Sequence, residues 1–225
     1  MTDKLVYDVH DSKGRNISAY VEAPFDTGKS VLEVVGHEVI DLPENARLRI
    51  QEGEYKEDKD ILGYGNWTRE GFIYSPKQNF VFFTKCSPVI ENSTEATQAH
   101  KEVKEFYPTA EQIERAIDPS VCFKVPYGQK PIPTNRFGED PLTVFAFEDW
   151  AESYGEFLAN LKSPTIPWMP VRLVVRAYAS EQLGVFARQN WLYGLGGNGM
   201  SCLDSYYKGL DSCDRVRGKL RVDKH

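Results

Sequence analysis

The residues with the clearest chemical potential are three arginines in two apolar runs near the C-terminal end. Arg172 and Arg176 lie in the run 171–178, and Arg188 lies in the run 184–193. If the two runs form a β-hairpin, the alternation of a strand places the arginines on one face and the apolar residues on the other. Guanidinium groups bind phosphates and carboxylates through paired hydrogen bonds. We therefore predict an exposed arginine face that binds phosphate or an acidic partner.

A glycine-rich segment follows the second run directly. Its sequence, from Gly194 through Gly196 and Gly197 to Gly199, matches the G-x-G-x-x-G pattern of dinucleotide-binding turns. That pattern must open the helix of a βαβ unit and be followed by another parallel strand, for which too little chain remains. We therefore predict no cofactor. The glycines are expected to supply positive φ angles in a structural turn, with a nest of backbone amides for an anion as the alternative.

Metal ligands are not grouped in the sequence. The four histidines, which lie at positions 10, 37, 100 and 225, are far apart and form no ligand pair. Asp41, Glu52, Glu54 and Lys56 have the residue types of a magnesium-dependent nuclease site, but the last three fall in a hydrophilic loop. We predict no metal site. An enzyme of unidentified class, such as a hydrolase that uses carboxylates, is kept as a second alternative function.

Aromatic residues are concentrated in or beside connectors rich in glycine and proline. Protein interfaces are enriched in Trp, Tyr and Arg, whereas loops normally carry polar residues. We therefore predict that several of these aromatic side chains form a partner interface. The residues assigned to it are Trp67, Tyr127, Phe137, Trp168 and Tyr193.

The elements that must position these residues follow from periodicity and turn residues. Helical spacing and a capping box at Thr109 predict helices over 96–106, from 109 and over 150–161, and the tail 200–218 resembles a loose helix. Alternating apolar residues between turn signals predict strands. The predicted strands before the two arginine runs are 5–9, 17–23, 30–40, 47–51, 71–74, 79–84, 121–125 and 142–147.

Strands that come first and helices that come later predict an α+β protein. We expect a mainly antiparallel sheet, a β-rich N-terminal half and several amphipathic helices in the C-terminal half. The length of 225 residues fits a single composite domain over 1–225, with a possible boundary at 90–94 that would separate a β-rich unit 1–90 from an α+β unit 94–225.

Composition limits the partners. The chain has 27 basic and 33 acidic residues, and its net charge is −6, which disfavours nucleic-acid binding over the whole surface but leaves a local basic patch open. The N-terminus lacks the pattern of a signal peptide, and no apolar run approaches the roughly 18 residues of a membrane helix. We therefore predict a soluble, cytoplasmic protein without membrane contact.

These observations predict a non-catalytic module that docks a protein partner or another copy of itself. The docking surface would combine the loop aromatics with the arginine face. The first alternative is a module that binds nucleic acid or a nucleotide phosphate through the same arginines and the glycine turn.

Overall fold

A ten-stranded mixed β-sheet organises the chain. The structure is a computed structural model that describes residues 4–10, 12–52, 63–161, 168–174, 184–194, 201–205 and 209–221. The strands are β1 Leu5–His10, β2 Asn16–Ala23, β3 His37–Val39, β4 Asn66–Tyr74, β5 Phe80–Thr84, β6 Cys122–Pro126, β7 Ile132–Pro133, β8 Trp168–Met169, β9 Val171–Arg172, β10 Phe186–Leu192, β11 Leu203–Asp204 and β12 Asp214–Leu220.

Helices lie both before and after the middle of the chain. The α-helices are α1 Phe25–Val34, α2 Leu42–Glu52, α3 Pro88–Glu91, α4 Ser93–Lys101, α5 Ala110–Ala116, α6 Pro141–Phe147 and α7 Ala151–Asn160. Short 3-10 helices cover Thr134–Arg136 and Glu148–Trp150. The prediction of an α+β protein is confirmed. In the described ranges, no helix combines the length and the apolar composition that a membrane span requires.

The sheet is mixed, and its last strand lies in its middle. The strand order is β1-β2-β12-β4-β10-β11-β9, β3 also pairs with β12, and β5 and β6 extend from β4. Most neighbours are antiparallel, but β12 is parallel to β4, and β11 is parallel to β9. The expectation of a mainly antiparallel sheet is therefore correct only in part. The sheet takes strands from both sides of residues 90–94.

Two predicted strands of the N-terminal region are helices. The region 30–40 contains the second half of α1 before the short β3, and the region 47–51 lies within α2. Helix α1 buries Phe25, Gly28 and Leu32, a spacing of three and four residues that belongs to a helix. A side chain at Gly28 would clash with Val216 of β12, only 2.6 Å away. This close contact seats α1 on the sheet.

The predicted strand 142–147 is helix α6. Asp140 caps this helix, because its Oδ1 accepts hydrogen bonds from the backbone N–H groups of Leu142 (2.9 Å) and Thr143 (3.2 Å). Pro141 occupies the first helical turn, where its missing N–H costs nothing. The capping box at Thr109 is confirmed at the start of α5. The helix predicted over 150–161 is confirmed as α7.

The predicted tail helix over 200–218 is wrong. Residues 203–204 form β11, and residues 214–220 form β12, which pairs with β2, β3 and β4.

The predicted arginine hairpin is also wrong where the structure describes it. Strand β9 pairs with β11, whereas β10 pairs with β4 and β11. The residues 175–183, which include the expected turn, lie outside the described residues.

Hydrophobic cores cover both faces of the central strands. On β4, Phe72 and Tyr74 belong to one core, and Trp67 and Ile73 belong to the other. Strand β10 likewise contributes to both cores, and every residue from Phe186 to Leu192 is buried. A strand that is covered on both faces cannot present a solvent-exposed row of side chains. Arg188, which lies on β10, therefore cannot belong to an exposed arginine face.

Candidate functional site

The three predicted arginines do not form one face. Arg188 is 5% exposed and forms an ion pair with Glu105, with its Nε donating to Oε2 at 2.9 Å. Its Nη1 also donates to the carbonyl of Ser205 at 3.3 Å. The prediction that Arg188 is exposed is therefore wrong, because β10 has packed side chains on both faces. Arg176 lies outside the described residues.

Of the two arginines of the predicted face that lie in the described ranges, Arg172 is the one that reaches solvent. Its side chain is 42% exposed and lies over the ring of Tyr193, with 5.2 Å between the guanidinium carbon and the ring centre. Its Nη1 is 3.4 Å from the Tyr193 hydroxyl and 3.8 Å from Oδ2 of Asp204, which is buried. Arg172, Tyr193 and Asp204 therefore form one charged cluster at the end of the sheet.

The predicted aromatic interface is mostly core. Trp67 and Phe137 are buried, and Tyr127 and Tyr193 are half-buried against the cores. The assignment of Trp67 and Phe137 to an exposed interface is wrong, because both rings pack among other aromatic rings. Trp168 is 47% exposed, as the prediction requires.

Trp168 and Arg172 both reach solvent from two consecutive short strands. Trp168 lies on β8, which pairs with β7 in a separate two-stranded sheet, and Arg172 lies on β9 of the ten-stranded sheet. Met169 between them is buried, and Pro170 and Val171 are half-buried. We call Trp168, Pro170, Arg172 and Tyr193 the exposed tryptophan–arginine surface.

The glycine turn is described only at Gly194. A side chain at Gly194 would lie 2.3 Å from the carbonyl carbon of Tyr64 and 2.6 Å from the carbonyl oxygen of Gly63. Close backbone packing therefore accounts for this glycine, and its φ angle is not positive. Gly196, Gly197 and Gly199 lie outside the described residues.

The Cys202 thiol and the Tyr193 hydroxyl, which lie near this surface, are protonated at neutral pH. Burial, and to a lesser extent the Asp204 carboxylate, raises the pKa of Cys202 to about 12. Burial and Asp204 also raise the pKa of Tyr193, against the opposing effect of Arg172. A thiol in this state is a poor nucleophile. All four cysteines lie in described segments and are free thiols.

A second site, which the sequence did not indicate, is a polar cleft of about 420 Å³. It lies where the start of α2, strand β4, the end of β5, the 3-10 helix Glu148–Trp150 and the end of β12 meet. Its lining residues are Asp41, Pro43, Glu44, Arg69, Glu70, Lys85, Glu148, Trp150 and Lys219.

Ion pairs match most of the charges in the polar cleft. Lys85 contacts Glu148 at 2.5 Å, and Lys219 contacts Asp41. Arg69 lies 3.4 Å from Glu38. Glu44 binds the guanidinium group of Arg47 through both carboxylate oxygens. Among the charged residues that line the cleft, Glu70 is the one for which the described part of the chain shows no ion pair.

Glu70 is a buried acid on the central strand β4. It is 2% exposed, and its Oε1 accepts a hydrogen bond of 3.0 Å from the backbone N–H of Leu42. No hydrogen bond of normal geometry reaches its Oε2. Burial raises the pKa of Glu70 to about 7; the Leu42 N–H and the nearby Thr68 hydroxyl lower it, and Asp41 raises it. Glu70 therefore changes charge near neutral pH.

Backbone strain occurs at the rim of the same cleft. Glu148 has φ 52° and ψ −131°, a conformation that costs a non-glycine residue free energy. Glu148 caps the C-terminal end of α6 and is the first residue of the 3-10 helix, and its carboxylate contacts Lys85. Glu148 and Trp150 both line the cleft. Among the described residues, no group of three or more His, Cys, Asp or Glu side chains could hold a metal ion.

Comparisons with known proteins define the fold more closely than the function. No protein-family model matches the chain, and no curated protein matches it. The chain is similar to a solved structure from Nanoarchaeota, described as showing how the C-type lectin fold accommodates massive sequence variation. The identity is 15% and the TM-score is 0.56, over 91% of this chain and 96% of that chain. The likeness shows that the α+β architecture is that of the C-type lectin fold.

Proposed function

We propose that this chain is a non-catalytic binding module that docks a protein partner through the exposed tryptophan–arginine surface. The observation that carries the proposal is the joint exposure of Trp168 and Arg172, which lie four residues apart on the consecutive strands β8 and β9. Tryptophan, tyrosine and arginine are the residues that most often dominate binding energy at protein interfaces. The stack of Arg172 on Tyr193 holds the guanidinium group before the partner arrives, which reduces the entropy lost on binding.

The structural neighbour supports a binding role for the scaffold. The nanoarchaeal protein is described as accommodating massive sequence variation with this fold. We infer that such a scaffold can carry different surface residues on the same framework, as a binding module requires. The partner is expected to be another protein or a second copy of this chain. A cytoplasmic location stays a prediction of the sequence.

The surroundings of Arg172 and Arg188 do not favour the phosphate-binding alternative. Arg188 is neutralised by Glu105 inside the protein, and Arg172 lies 3.8 Å from the buried Asp204. Phosphate binding draws its strength from several cations that face the same anion. In the described part of the predicted face, Arg172 is the arginine that stays accessible. An acidic protein surface therefore fits this site better than a nucleic acid.

A site-specific cross-linker tests the proposal. A photo-reactive phenylalanine analogue is placed at Trp168 in one sample and at Tyr7 in another, and cross-linked products are compared in cells of the native host. Tyr7 is a matched control, because it is an aromatic residue of 39% exposure on β1, at the opposite end of the strand order from β9. We expect a discrete product from position 168 that Arg172→Ala weakens by about tenfold.

Light scattering of the purified protein distinguishes the two kinds of partner. A dimer that Trp168→Ala converts to a monomer identifies a second copy, and a monomer directs the search to the cross-linked protein. The proposal is overturned if positions 168 and 7 give the same products, or if neither gives any.

A further inference from the structure

The charges of the polar cleft leave Glu70 without a cation. The acids Asp41, Glu44 and Glu148 each contact a lysine or an arginine. Glu70 contacts no basic side chain, and its Oε2 accepts no hydrogen bond of normal geometry from the described part of the chain. A buried carboxylate without a partner carries a high free-energy cost, which a bound cation would remove.

We propose that the polar cleft binds a small organic amine, whose primary ammonium group pairs with the carboxylate of Glu70. This site is separate from the exposed tryptophan–arginine surface, and the proposal does not depend on the proposed docking function. The volume of about 420 Å³ lies within the range of small-molecule pockets. The half-buried Trp150 also lines the cleft, and ammonium groups are attracted to aromatic rings.

The number of accepting oxygens favours an ammonium group over a guanidinium group. Oε1 of Glu70 already accepts the Leu42 N–H, so a guanidinium fork would have to share that oxygen, whereas Oε2 has no hydrogen-bond partner in the described part of the chain. A guanidinium fork binds best to two oxygens of the same carboxylate, whereas an ammonium group is a point charge that needs only one. A metal ion is a poorer fit, because the described acids around the cleft do not converge as a metal site.

Amine binding should depend on the ionisation of Glu70. The ammonium group binds the carboxylate and not the carboxylic acid, so affinity rises as Glu70 loses its proton. Its raised pKa places this change near neutral pH. The charged groups that face the cleft from the surrounding elements are Asp41 and Glu44 at α2, Arg69 on β4, Lys85 after β5, Glu148 before α7 and Lys219 on β12.

The test is an NMR titration of the full chain with n-butylamine. The neutral control ligand is 1-butanol, which has the same chain length, and n-butylguanidine tests the choice of cation. We expect the amine to bind at least about tenfold more tightly than the alcohol, and the guanidine to bind more weakly than the amine. Below the pKa of Glu70, amine affinity should fall about tenfold per pH unit, as expected for one linked proton.

Two variants locate the site. Glu70→Gln keeps the size of the side chain and removes the charge, and should reduce amine affinity at least about tenfold. Glu95→Gln removes an exposed acid on α4, outside the cleft, and should leave affinity unchanged. If Glu70→Gln does not fold, the pH profile and the alcohol comparison on the wild-type chain still decide the question.

Three results would overturn the proposal. One is equal binding of butylamine and butanol, which would show that the ammonium charge contributes nothing to binding. Another is an affinity that does not change with pH between about 5 and 8, where Glu70 titrates. The last is a Glu70→Gln variant that binds the amine as tightly as the wild type. None of these results bears on the cross-linking test at Trp168.

Discussion

Arg188 and Glu70 are both charged side chains buried on neighbouring central strands, but their surroundings differ. The Arg188 guanidinium group donates to the Glu105 carboxylate and to the Ser205 carbonyl. Glu70 accepts a hydrogen bond from the Leu42 backbone, its Oε2 is buried without a hydrogen-bond partner among the described residues, and the residue lines the polar cleft. The first charge is satisfied within the protein, whereas the second is satisfied only in part.

This difference separates a structural charge from a binding charge. A buried ion pair with complete hydrogen bonding fixes the packing of its elements and offers little to a ligand. A buried carboxylate with one oxygen that has no hydrogen-bond partner destabilises the folded state when it is ionised. Because its ionised form is destabilising and it lines a cleft, Glu70 is a better candidate for ligand contact than Arg188.

The largest effect is expected when Arg188 loses its partner. Glu105→Ala leaves a buried guanidinium group without its carboxylate, and should lower the free energy of unfolding by about 3 kcal/mol or more in urea denaturation. Glu111→Ala is the matched control, because it removes the acid from an exposed pair with Arg115 and should have no measurable effect. Equal stability of both variants would show that Arg188 does not depend on its ion pair.

The next effect concerns the pH dependence that Glu70 imposes. Its pKa is about 7 in the folded chain and 4.5 in the unfolded chain, so the folded state holds the proton more tightly. Stability should therefore fall as pH rises through this interval, by about 3 kcal/mol relative to Glu70→Gln, since one pKa unit corresponds to about 1.4 kcal/mol.

Urea denaturation of the wild type and Glu70→Gln at several pH values from about 4.5 to about 8 measures this difference. The other titrating groups are common to both proteins and cancel in the comparison. A difference that is constant across this range would mean that Glu70 ionises like an exposed acid, and would make it no different from the other acids of the cleft.

The smallest effect is expected for the exposed arginine. Arg172→Gln should lower the free energy of unfolding by about 1 kcal/mol or less, because the side chain is 42% exposed and 3.8 Å from Asp204. Arg188→Gln, measured in the same way, should cost several times more. A large loss for Arg172→Gln would make this arginine structural too, and would weaken its assignment to a docking surface.

The sequence predicted elements where local signals agree with tertiary packing. The capping box at Thr109 and the apolar stripe of α7 need only neighbouring residues, and both were found in the structure. The regions 30–40 and 142–147 misled the prediction because their apolar residues fit a buried strand as well as a helix packed on a sheet. In such short runs, the tertiary environment decides between the two.

The candidate sites were less predictable than the elements. Period-two alternation correctly groups the residues of β10, but it does not show that a second core covers the other face, and this cover buries Arg188. The polar cleft joins Asp41, Glu70, Glu148 and Lys219, which are separated by many residues. No local spacing connects them. Glu70 follows Arg69 in β4 and shares the start of that strand with Asn66 and Thr68, so its residue type alone does not mark it as a site residue.

The central position of β12 sets the order in which the protein can form during synthesis. Its partners β2 and β4 are made early, but each must wait until residues 214–220 have left the ribosome. Contacts between residues so far apart in sequence form slowly, and unpaired strand edges are prone to aggregation in the meantime. The edges of β2 and β4 that β12 covers in the folded protein therefore stay unpaired until the last strand has been made.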